Sequence, residues 1–257
     1  MTKYLRIFRD LFKYNLIADM EFRHNFFIRL LTQLFFVALQ LVIVNTFFNF
    51  TSSIGSWSKN EVFVLVGLFR LIEGAFHMFF HSNILYLPEL VNSGEMDLLL
   101  SKPVNSLFYV SLRRHQLHEV STFLSGLVIL LYSQIIRGIA WANILWLSVV
   151  GLVALYSIML FFSSLSFFIP RMTALSSIWD VMSKITRFPL DILTGSSRLG
   201  LSLVGPLLLV VTLPSQIILG KVPPVYIFLE IAGTLGVFAL TYKFWLYSLR
   251  HYSSASS

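Results

Sequence analysis

The sequence predicts an all-α, polytopic membrane protein with six transmembrane helices. Three observations carry that prediction: the composition, the length of the apolar runs, and the sorting of the basic residues. Of 257 residues, 56% are hydrophobic and 12% are charged, about half the charged share of an ordinary soluble domain. One soluble domain of this length has no place to hide so much apolar area. A soluble enzyme, a disordered chain and a nucleic-acid-binding domain are therefore excluded, and lipid becomes the principal solvent. Cysteine is absent, so no disulfide or thiolate site exists. Residues 1–25 carry charges throughout and do not read as a cleaved signal peptide.

The elements follow in chain order as one transmembrane domain over residues 1–257. Residues 1–25 open with an amphipathic helix. Tyr4, Ile7, Phe8 and Leu11 fall near one face, and Arg6, Arg9, Asp10 and Lys13 near the other. Such a helix lies flat on the inner leaflet with its apolar face in lipid, and a docking surface for a partner protein is compatible with that position. Six stretches then approach the roughly 20 apolar residues that a crossing requires. They are 26–48, 62–83, 120–136, 139–169, 199–219 and 225–246. Pro206 and Pro214 interrupt the fifth, so residues 214–224 are a candidate re-entrant segment.

Basic residues set the orientation. With a cytoplasmic N-terminus, fifteen Lys and Arg fall inside, while Lys59, Arg137 and Lys221 fall outside and Arg70 lies within a span. That bias places both termini in the cytoplasm. The long segments 84–119 and 170–198 are then cytoplasmic loops. In the first, Pro88 suits a helix first turn, Glu89 suits its N-terminal dipole and Gly94 suits its C-terminal cap. A second short helix, Glu95–Leu100, stops near Pro103. This is either a capped interfacial helix pair or a docking element. In the second loop, Trp179, Met182, Ile185 and Phe188 recur at three-residue steps, marking another interfacial helix that ends before Pro189.

The second span carries Arg70, Glu73, His77 and His81 on one helix face. Charge in hydrocarbon is costly, so this face points at protein or a wet cavity. Three readings stand: a buried structural stripe, the lining of a translocation path, or a Glu-His-His metal site. Glu230, early in the sixth span, serves a cavity or the outer interface. No Gly-x-x-x-x-Gly-Lys-Ser/Thr loop occurs; the nearest stretch, Gly195 to Ser202, lacks the Lys. No other recognisable catalytic motif is present, so the chain is not expected to be catalytic by itself.

In order and spacing these features resemble the permease subunits of ABC-2 family exporters. Gly94-Glu-Met-Asp-Leu-Leu-Leu-Ser-Lys-Pro103 is similar to a block after the second span in one six-span branch. Phe188-Pro189-Leu190-Asp191-Ile192, then Pro206 and Leu213-Pro214, resembles that branch's Pro-rich region, with Leu213 where an aromatic often stands. The ending Arg250-His-Tyr-Ser-Ser-Ala255 is similar to its C-terminus. The resemblance implies a permease of the bacterial plasma or inner membrane, working as a dimer with a second, identical or related permease chain. Two copies of a separate ATP-binding subunit would carry the ATP and Mg, leaving no cofactor in this chain. The loop bearing Glu89, Gly94, Glu95 and Asp97 would couple to that subunit. A Phe-rich interior suits an amphipathic or hydrophobic cargo. The alternative is a stand-alone proton-coupled secondary transporter or channel using the Arg70–His81 stripe, although the two halves show no repeat of broken helices.

Overall fold

The computed structural model describes residues 2–21, 23–133, 141–169, 172, 174–190 and 205–252. Twelve α-helices with full bounds, short π and 3-10 turns, and no strand occur among them. Helix α1 (Thr2–Glu21) leads into α2 (Arg23–Phe50), and a tight turn at Ile54–Trp57 leads to α3 (Lys59–Phe76). A π turn, His77–His81, joins α3 to α4 (Ser82–Leu85). Short helices α5 (Leu87–Ser93), α6 (Glu95–Leu100) and α7 (Ser106–Leu112) follow. Then come α8 (Val120–Tyr132), α9 (Trp141–Ser164), α10 (Leu175–Ile185), α11 (Leu213–Ile218) and α12 (Val225–Arg250).

Four segments are long and apolar enough to cross a membrane: Leu31–Phe50, Lys59–Ser93, Trp141–Phe167 and Val225–Arg250. The expected third and fifth spans are shorter, at Leu117–Tyr132 and Gly205–Ile218. Residues 134–140 and 191–204, which adjoin or belong to those two runs, lie outside the described residues, so four full-length crossings are seen among the described ones. All six segments nonetheless alternate in direction. Asn45, Phe63 and Tyr132 meet at one end, and Lys221 joins Ser56 and Glu61 there. At the other end, α1 docks on residues 103–117, and Tyr252 packs on Phe167. The expected outer link Arg137–Gly138, Arg171, the stretch from Asp191 to Val204 and the final Ser253–Ser257 lie outside the described residues.

Helix α3 is the hub. Lipid tails are as apolar as Leu, so helices in a membrane associate mainly through close packing of small residues. Gly67 and Gly74 present that surface to α8. A Cβ on Gly67 would stand 2.7 Å from Leu130 Cγ, and one on Gly74 would collide with the Phe123 backbone. Gly126 of α8 returns the fit, lying against the Gly67 carbonyl. Helix α9 pairs with α12 through Phe161–Phe244 and a Thr241 hydroxyl donating to the Ser157 carbonyl at 3.1 Å. Helix α2 is peripheral and turns Phe35, Ile43 and Phe47 outward.

Two expectations change here. Helix α1 was expected to lay Tyr4, Ile7, Phe8 and Leu11 in lipid. Instead Phe8 and Phe12 pack on His115, Tyr4 packs on Phe108, and the Asn15 amide donates to the Arg113 carbonyl. The aromatic-polar pocket behind α1 offers partners that lipid does not. Its exposed large apolar and aromatic residues are Tyr4, Leu5, Tyr14, Leu16, Ile17 and Met20. Pro214 was expected to break the fifth span. The chain accommodates it with a π turn at Leu208–Thr212, and the Pro sits in the first turn of α11, where its missing N–H leaves no extra gap.

Candidate functional site

Arg70 and Glu73 sit one turn apart on α3, and their side chains meet at 3.2 Å. Both are buried, at 7% and 4% exposure, so the pair needs full compensation. A second guanidinium supplies it. Arg187, just past α10, approaches the other carboxylate oxygen at 3.1 Å. Arg70 Nε also donates to the Gln40 side chain of α2 at 3.3 Å. Glu73 is thus the single anion shared by two arginines, tying α2, α3 and the segment after α10 together.

The π turn places the two histidines. Its wider winding brings His77 and His81 together, with ring centroids 4.2 Å apart. Trp179 of α10 packs against both rings and stacks on Phe76. π turns of this kind recur at functional positions. His77 Nδ1 lies 3.7 Å from Glu119, just ahead of α8. Thr122 donates to Glu119 at 2.7 Å and accepts from Gln33 at 2.6 Å. Burial opposes the Glu119 charge, but hydrogen bonds from His118, His77 and Thr122 outweigh it and hold the carboxyl well below the usual range. His118 in turn lies 3.7 Å from Asp19 of α1, which accepts from the Leu117 amide at 2.8 Å. A cavity of about 360 Å³ opens among Arg70, Glu73, His77, Glu119, Trp179 and Arg187.

The expected stripe is therefore split. Arg70, Glu73 and His77 line the cavity, whereas His81 turns into the Phe76–Trp179 aromatic cluster. Among the described residues no group of three His, Asp or Glu side chains is placed to hold a metal ion. Sequence reasoning missed Gln40, Glu119 and Arg187 as partners. Arg187 lies 114 positions from Glu73, and no local spacing signals such a pairing. Glu230 is fully buried in α12, and neither carboxyl oxygen finds a hydrogen-bond partner among the described residues.

The loop that holds α5 and α6 forms as its residues dictate. Pro88 sits in the first turn of α5, and Gly94 takes φ 76°, the left-handed conformation that ends α5 and starts α6. Leu87, Leu90 and Met96 are buried beneath the pair. Glu89, Glu95 and Leu98 face outward. Asp97 does not: it is half-buried beside Tyr252. Burial raises the Tyr252 hydroxyl pKa, and the Asp97 carboxylate adds to the rise. The loop thereby touches the end of the last long helix.

The family model for the ABC-2 family transporter protein matches residues 34–256. No curated protein and no solved structure matches the chain.

Proposed function

Because the chain belongs to the ABC-2 transporter family, as a multi-pass permease component, we propose that it forms the translocation pathway of an ATP-driven exporter. It works as a dimer with a second permease chain, identical or related, in a bacterial plasma or inner membrane. Two copies of a separate ATP-binding subunit dock at the end of the molecule that carries α1, α5, α6 and Tyr252, which is the cytoplasmic end with both termini. Those subunits hold ATP and Mg; this chain holds no cofactor and performs no catalysis.

The observation that carries this reading is the outward-facing Glu89–Glu95 rim on a packed two-helix knob. Its contact with Tyr252 and its proximity to α1 give a mechanical route to the spans. Closure of the ATP-binding dimer would push the knob, and the helices would respond by exchanging between two packed arrangements. The Glu73 cluster is the joint of that exchange, since it binds α2, α3 and the segment after α10.

A direct test co-expresses the chain with phosphate-loop ATPases encoded beside it. Co-purification at fixed stoichiometry, with ATP hydrolysis changed by the permease, is the expected result. Substrate movement by the purified chain alone, driven by a proton gradient, would instead support a secondary transporter. The observation favouring that second reading is the Asp19–His118–Glu119–His77 succession.

A further inference from the structure

Two cavities meet at a shared neck beside the two arginines that hold Glu73. The polar one, about 360 Å³, lies between α3, α10 and the start of α8. The other, about 420 Å³, is an apolar groove between α2 and α3, lined by Leu39, Ile43, Phe47 and Val66 among others. Each falls in the size range of ordinary ligand pockets. Ile43 and Phe47 are also exposed on the outer side of α2, so the groove opens toward lipid.

Four residues line both cavities: Phe36, Arg70, Lys184 and Arg187. Every charged member of that neck is basic. Glu73 balances one of the two arginines, and Lys184 is exposed. Glu73, Asp180 and Glu119 line the polar cavity but not the neck, so the carboxylates stand back from it. The neck therefore presents three basic groups next to an apolar slot. Gln33 Oε1, His77 Nε2 and Arg187 Nε are buried around the polar cavity without hydrogen-bond partners among the described residues. Such atoms are costly to leave unmatched, and an anionic head group would accept from Arg187 Nε.

We propose that an anionic amphiphile taken from the bilayer binds here, its head group at the Arg70–Lys184–Arg187 neck and its tail in the α2–α3 groove. Guanidinium and ammonium groups suit phosphate or carboxylate oxygens, and an acyl tail suits the groove. Only the statement that this amphiphile is the cargo rests on the permease reading.

The test uses the full-length chain in a neutral maltoside detergent. Dodecyl phosphate, dodecyl phosphocholine and inorganic phosphate are added in turn while thermal unfolding is followed, because a ligand of the folded state raises Tm. Dodecyl phosphate alone should raise it. Lys184→Gln should weaken the apparent affinity by about tenfold, the loss of one charge-assisted contact. Ile43→Trp should block the groove and abolish the response. Both positions are exposed, so both variants should match wild-type Tm without ligand. An equal response to dodecyl phosphocholine, or a full response in both variants, overturns the site. The permease reading fails separately: a bound amphiphile that leaves ATP hydrolysis by the co-purified complex unchanged removes the cargo role and keeps the site.

Discussion

Glu73 and Glu89 are carboxylates on consecutive stretches of one chain, yet they live in opposite surroundings. Glu73 is enclosed, with one oxygen on Arg70 and the other on Arg187. Glu89 stands exposed on the rim of α5. The enclosed carboxylate cannot be separated from its partners, so its contribution is to hold three segments in register. The exposed one contributes little to the fold and remains available to another protein. The difference teaches that charge inside this molecule builds the joint, while charge at its rim addresses the outside.

The largest expected effect lies at the joint. Glu73→Ala leaves two guanidiniums without their shared anion, and breaking a buried pair costs about 3–5 kcal/mol. A marked fall in Tm and in the yield of assembled protein is expected. Lys59→Ala, at the opposite end of α3, should stay within about 0.5 kcal/mol of wild type. Equal unfolding temperatures for the two variants would erase the contrast.

A smaller effect belongs to Glu119, at the edge of the same cluster. Its pKa is lowered in the folded state. Its stabilisation is therefore present above the unfolded carboxylate value, about 4.3, and is lost as pH falls through and below it. Unfolding followed from about pH 7 to about pH 3 should show a shallower loss of stability in Glu119→Gln than in wild type. Parallel profiles would show that Glu119 carries no differential charge interaction.

What the sequence made legible follows the same division. The loop signals were local: Pro88 begins one helix, and Gly94 ends it with a left-handed residue. Those positions could be placed from neighbours alone. The charged stripe was visible as spacing, but its meaning came from Arg187 and Gln40, which reach it only through tertiary folding. His81 stays beside His77 but packs on Phe76 and Trp179, outside the cavity, and those partners come from tertiary folding. Asp97 is half-buried beside Tyr252, just past α12, a contact between distant parts of the chain. The apolar face of α1 was legible as a face, but not that half of it would rest on His115 and Phe108 rather than on lipid. The third and fifth spans were read from apolar runs, of which Leu117–Tyr132 and Gly205–Ile218 fall among the described helices.

The smallest effect on stability, and the most direct on function, is at Glu89. The central claim is that this rim meets an ATP-binding subunit. The deciding measurement is ATP hydrolysis by the co-purified complex bearing Glu89→Lys, beside the Tm of the permease alone. Glu89→Lys should leave Tm unchanged and lower permease-dependent ATP hydrolysis several-fold. Wild-type hydrolysis with substrate movement intact would contradict it.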